Sequence, residues 1–299
     1  MIYSKPPLSL QEQIQRLKDR GLTFGNEVKA AHYLSNISNY RLRAYTYPFQ
    51  DNSDPNHPFL TEMSFEDLIS LYVFDRKLRI LIFNGIEKIE IALRTKIIYE
   101  YSIGCGNGNW YEDETMYYDH IQFEEHMETL LNEIDRSNET FIDHYKTKYT
   151  QPENPPAWMA LEVASFGLLS KIYRNLLNTK LKTKVAREFG LTNSMVLSSW
   201  MFTFSNMRNI VAHHGRLWNR RFVASVQLPT HTLRPFLQNT NIYPNKLYAL
   251  MSCMNFILQE ISPGNCFVAD FKNLIKTSDF IFLHEMGFPA DWENESIWQ

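Results

Sequence analysis

FEDLISLYVFDRKLRILIFNGIEKIEIALRTKIIYEY, residues 65–101, decides the fold class. Leu68, Leu71, Tyr72, Leu78, Leu81, Ile82, Ile86, Ile89, Leu93 and Ile97 recur mainly at three and four, the period that gathers apolar side chains on one face of an α-helix. Ser64 with Asp67 three positions on is an N-cap pattern, and the glycines from Gly104 to Gly108 end the element. Gly85, inside it, marks either a break or a close helix crossing.

On the N-terminal side, Ser9 and Glu12 form a capping box opening a helix that stops at Gly21. Helices are also expected over about 27–34 and 40–45. Residues 51–58, with two prolines, two aspartates and two asparagines, read as a loop. On the C-terminal side the expectations are an acidic helix over 119–135 and a proline turn at 151–156. One helix should then cover 158–177, and a short one 182–189. A helix from near Asn193 carries Leu197, Trp200, Met201, Phe204, Met207 and Val211 on one stripe and terminates at Gly215. Two more are expected over 246–260 and 268–276. No repeat, low-complexity tract or alternating run points to a sheet. The class is therefore all-α, with an N-terminal helical appendage at 1–60 and one helical domain at 61–299.

With 299 residues, 44% hydrophobic, the chain can bury a sizeable core. No run approaches eighteen uncharged apolar residues and residues 1–10 lack a leader pattern, so a cytoplasmic protein without membrane contact is expected. Cys105, Cys253 and Cys266 have no CxxC spacing and read as packing residues. No HExxH, HxxxH, P-loop or dinucleotide glycine pattern occurs, so neither a metal nor a cofactor is expected. Net charge is −3, but it is unevenly spread. Residues 107–143 hold eleven acids and one base, whereas 189–259 hold six bases and no acid. Such a stretch suits either a phosphate-facing surface or an apolar segment with a few solvated arginines.

Within that basic window lies RNIVAHHGRLWNR, residues 208–220, with two imidazoles among its guanidiniums. Cleavage of RNA by its own 2′-hydroxyl needs a base for that hydroxyl and an acid for the departing 5′-oxygen, tasks that suit histidine. A planar guanidinium holds the oxygens of the phosphorane-like transition state. On an ideal helix neither His213 nor His214 shares the face of Arg208, so spacing alone does not choose between them. Asn209 and His213, four apart, do share a face. Arg208 must therefore reach round the helix or meet a histidine from another subunit.

This string resembles the RN-x3-H form of the motif in HEPN ribonucleases, in particular the Abi-like (AbiD/AbiF type) abortive-infection proteins. The resemblance extends over residues 5–47, over YVFDRKLRILIFNGIEKIEIALR at 72–94 and over PPAWMALEVASFGLLSKIY at 155–173. It implies a HEPN-type helical bundle, a homodimer with two motifs facing across a cleft, and metal-independent endoribonuclease chemistry. It also implies a growth-arresting toxin of phage defence, with RNA as substrate and, in some relatives, an RNA or protein antitoxin. By position, Arg208 and His213 become the catalytic pair and Asn209 their support. The competing reading is a non-catalytic helical module that binds RNA or a protein through the same cleft.

His214, Arg216, Trp218, Asn219 and Arg220 are candidates for RNA binding or support, through phosphate contact, stacking and base-edge hydrogen bonds. For Trp218 a place in the core is an equal reading. Glu90, Arg94 and Glu162 are candidates for orienting the catalytic groups; Glu90 and Arg94 equally suit an intrahelical ion pair. Lys171, Arg174, Lys180, Lys182, Lys184 and Arg187 either extend an RNA path or are solvated helix-face charges.

Overall fold

The long apolar stripe forms α4, Phe65–Cys105, 41 residues in length and about 60 Å long at 1.5 Å per residue. Leu68, Leu71, Leu78, Ile82, Ile86, Ile89, Leu93 and Ile97 along it are fully buried. Burial of each stabilises the fold by about 1.5–3 kcal/mol. Gly85 does not break the helix. A Cβ there would lie 2.9 Å from Met254 Cε and 3.3 Å from Leu258 Cδ1, so glycine permits a close crossing with the helix that carries those residues.

The structure, a computed structural model, describes Ile2 and residues 6–299. Lys5, where the N-terminal resemblance begins, lies outside the described residues. Before α4 come α1 (Leu10–Asp19), α2 (Glu27–Ile37) and α3 (Asn39–Thr46). After it come α5 (His120–Arg136), α6 (Thr140–Lys148), α7 (Ala157–Val163), α8 (Phe166–Asn175) and α9 (Lys180–Arg187). The last are α10 (Ser194–Ala212), α11 (Leu247–Ile261) and α12 (Phe267–Lys276). Among the described residues β-pairing is limited to isolated bridges, so the fold is all-α. None of these helices is long and apolar enough to cross a membrane.

Packing divides the chain into two compact units, residues 1–79 with 271–282 and residues 80–270 with 283–299. The sequence boundary at residue 60 follows the loop ahead of α4, whereas the packing division falls inside α4. In the first unit, Phe49 packs on Phe280 and Phe282 with ring centroids 5.8 and 5.6 Å away. The fully buried Asp75 accepts from the Tyr45 hydroxyl at 2.6 Å and pairs with Arg79. Burial, and then the Asp75 carboxylate, push the Tyr45 phenol well above its ordinary pKa, so it stays a donor.

In the second unit, α5 packs on α7 and α8, and α8 on α10. Trp200 of α10 meets Phe236 and Phe256 at 5.8 and 5.9 Å. Trp298 stacks at 5.9 Å on Tyr248 and donates to Ser252. Glu295 accepts from the backbone N–H groups of Gln238 and Asn239 at 2.7 and 2.8 Å, pinning the loop between α10 and α11. Of the three cysteines only Cys253 is a packing residue; Cys105 and Cys266 are exposed.

The single helix expected over 158–177 is two. Ala164 and Ser165 are extended, and the Ser165 hydroxyl accepts from Leu168 N–H to cap α8. Helix α6 was not expected at all. Lys182, expected either on an RNA path or among solvated helix-face charges, is neither: it is 1% exposed and donates to the carbonyls of Arg174 and Leu176 at 3.0 and 2.6 Å, closing the end of α8. Burial lowers its ammonium pKa to about 8. Between that value and the ordinary 10.5 the folded chain binds fewer protons than the unfolded one, so stability rises with pH. In urea unfolding, wild type should gain about 2 kcal/mol over Lys182→Met between pH 7.5 and 9.5. Identical pH profiles would show that the lysine is not desolvated.

Candidate active site at the end of α10

α10 brings the motif to its last turn and ends it in a two-bond cap. His214 N–H donates to Val211 O at 3.1 Å, and Gly215 N–H to Ile210 O at 2.7 Å. In this arrangement the residue after the C-cap is left-handed. That residue is His214, at φ 57, and not the glycine that the sequence suggested. A histidine held there costs roughly 1 kcal/mol relative to glycine, a local strain beside the proposed chemistry.

Gly215 has a different reason to be glycine. A Cβ there would stand 2.9 Å from Ile210 Cγ2 and 3.0 Å from Ile210 O, a backbone atom that cannot move aside. Gly215→Ala should therefore destabilise the chain by about 1–3 kcal/mol in urea unfolding; unchanged stability would mean that the cap yields to a methyl group.

Arg208, Asn209 and His213 are all accessible to solvent, Arg208 half-buried and the other two exposed. Arg208 lies between two oxygens, with Nη1 3.5 Å from Asn209 Oδ1 and Nε 4.0 Å from Glu90 Oε2. Glu90 is in turn held by Arg94, whose Nη2 donates to Glu90 Oε1 at 3.1 Å. The buried Arg94 also donates to the carbonyls of Leu161 and Ala164 at the end of α7. α4 thus supplies a clamped carboxylate beside the candidate arginine. The His213 side chain, by contrast, makes no hydrogen bond among the described residues, to Arg208 or to any other group. Asn209 turns toward Arg208 and not toward His213.

Residues 216–220 fold back on themselves. Arg216 Nη2 donates to Asn219 O at 3.4 Å, and Arg220 Nη1 to Arg216 O at 3.2 Å. Asn219, also left-handed at φ 47, accepts at 3.2 Å from the ammonium of Lys246. Trp218 is completely buried and supports the turn, with its ring out of reach of a base. Arg216 lies over it, 6.0 Å from its centroid. Arg216, Asn219 and Arg220 keep part of their surface open to solvent. Glu162 is exposed on α7 and lines a cleft with Glu133, Arg136 and Phe141, and it forms no hydrogen bond or ion pair with Arg208 or Glu90 among the described residues.

Lys246 is a site residue that sequence reading missed. It donates to Glu285 O at 2.8 Å as well as to Asn219, and burial lowers its pKa. A lone lysine 27 positions from its partner leaves no local signal. No group of three or more His, Cys, Asp or Glu side chains among the described residues is arranged to hold a metal.

The fold and site together define an all-helical protein that presents an arginine, an asparagine and a histidine at one solvent-facing helix end. The model of the Abi-like protein family matches residues 32–219, well over half of the chain and all of 208–213, and the chain belongs to that family. No curated protein and no solved structure matches it.

Proposed function

We propose that the chain is a metal-independent endoribonuclease of the HEPN superfamily, of the AbiD/AbiF type, that acts as a growth-arresting toxin in abortive infection of phage-attacked bacteria. The observation that carries this reading is the Arg208 guanidinium, held beside Glu90 and Asn209 at an open helix end, five residues before the exposed His213. In the proposed step, His213 accepts the proton of a ribose 2′-hydroxyl as its oxygen attacks the adjacent phosphorus. The bond to the 5′-oxygen breaks, that oxygen takes a proton from water or from the imidazolium of His213, and the products are a 2′,3′-cyclic phosphate and a 5′-hydroxyl. Arg208 neutralises the charge that builds on the non-bridging oxygens.

Among the described residues no hydrogen bond joins Arg208 to His213, which favours a composite site in a homodimer, where the histidine of one copy serves the arginine of the other. Arg216 and Arg220, partly open beside the motif, would hold flanking phosphates. The absence of acids from 189–259 fits an RNA-facing surface. Control by an RNA or protein antitoxin follows from the kinship alone.

Total RNA incubated with wild type in excess EDTA tests the reading. Fragments ending in 2′,3′-cyclic phosphate and 5′-hydroxyl are expected. Cleavage that disappears with EDTA would replace the histidine mechanism with metal chemistry. No cleavage at all, with RNA still bound, would favour the non-catalytic binding module.

A further inference from the structure

The first compact unit carries a concave site that the proposed RNase chemistry does not use. A cavity of about 850 Å³ is lined by Arg16, Arg20, Tyr40, Arg43, His57 and a single acid, Asp19. Arg16 and Arg20, four apart, come from α1 and its C-cap, and Arg43 comes from α3. The loop bearing His57 is tied to α1 by the Phe59 N–H donating to Arg20 O at 2.8 Å.

Three guanidiniums face one cavity whose lining holds a single carboxylate, Asp19, so positive charge stays in excess. None of the three forms a salt bridge among the described residues; Asp19 accepts from Gln15 Nε2 at 2.7 Å. Burial, together with the nearby charges of Arg16 and Arg43, holds the Arg20 pKa below its ordinary value, the mark of cations crowded together. The backbone at the rim is unusual as well. Ser38 and His57 are both at positive φ, 64 and 52. His57 Nδ1 is shielded from solvent with no hydrogen-bond partner among the described residues. Tyr40, 87% exposed, offers an open ring face at the same rim.

We propose that this cavity binds the phosphate groups of a nucleotide, with Arg16, Arg20 and Arg43 as the phosphate ligands and Tyr40 as the platform for its base. Planar guanidiniums match phosphate oxygens in pairs and favour phosphate over a single carboxylate. The volume lies in the range of small-ligand sites, and an aromatic face stacks on any base.

The test is calorimetric titration of the full chain with inorganic triphosphate, a nucleoside triphosphate and a short single-stranded DNA. One-to-one binding of the first two is expected, tighter for the nucleotide. Arg20→Ala and Arg43→Ala should each weaken it about tenfold or more, the worth of one charged hydrogen bond. Tyr40→Ala should affect only the nucleotide, and His213→Ala should leave both affinities unchanged, which separates this site from the RNase site. Arg43 is exposed, so its removal should not harm folding. Without ligand, Arg43→Ala should raise the melting temperature slightly by relieving repulsion. Failure of either phosphate probe to saturate, affinities unchanged in the arginine variants, or binding of the DNA alone would overturn the proposal.

Discussion

His213→Ala should lower RNA cleavage about a thousandfold while leaving the fold intact. The imidazole is exposed and makes no hydrogen bond among the described residues, so its loss should change stability by no more than about 0.5 kcal/mol. A drop in rate would then report chemistry and not unfolding. Arg208→Ala should cost about 100- to 1,000-fold, and Arg208→Lys should recover part of that, because an ammonium keeps the charge but loses the paired geometry. Glu90→Gln should have a smaller effect, since it weakens the hold on the guanidinium without removing it.

Mixing the two inactive variants separates the architectures. If each site pairs the histidine of one copy with the arginine of the other, a mixed dimer contains one intact site and activity partly returns. No recovery would place both groups within one chain. Equal rates for wild type and His213→Ala would end the ribonuclease reading based on this motif.

Arg94→Met should destabilise the chain by about 3–5 kcal/mol. Arg94 is 7% exposed, and its single guanidinium serves Glu90 and the carbonyls of Leu161 and Ala164. Methionine fills much of the volume but donates no hydrogen bond. Two carbonyls at the end of α7 then lose a donor, at about 1–3 kcal/mol each when buried, and Glu90 loses its nearer cation. Arg94→Lys should rescue little, because one ammonium cannot face three acceptors spread in the guanidinium plane. Urea unfolding at neutral pH measures both variants. A loss below about 1 kcal/mol would mean that water replaces the arginine and that these groups are less buried than they stand. The same variant should reduce RNA cleavage at temperatures where it stays folded, because the carboxylate beside Arg208 is no longer fixed.

The all-helical class, the long α4 and the stripe of α10 were legible in the chain because helical burial repeats at three and four, and local apolar spacing carries that period. The cap of α1 was legible for a similar reason, since Ser9 and Glu12 bond within one turn. The motif at 208–213 was readable as residue types whose chemistry suits RNA cleavage.

Other features depended on partners far apart in sequence. The break between α7 and α8 is matched by Arg94, 67 and 70 positions from the carbonyls it takes. Lys182 looked like one lysine among several until the carbonyls at the end of α8 closed over it. Trp218 was equally a base platform or a core residue, and burial assigned it to the core. Gly85 could break or permit, and only the side chains of Met254 and Leu258 against it chose the second. Sequence by itself determined which surfaces are apolar and which reactive groups lie together along the chain, because both are local. Tertiary structure alone decided that Glu90 stands by Arg208 while His213 faces outward, because side-chain direction at a helix end is set by the cap and by neighbours from other helices.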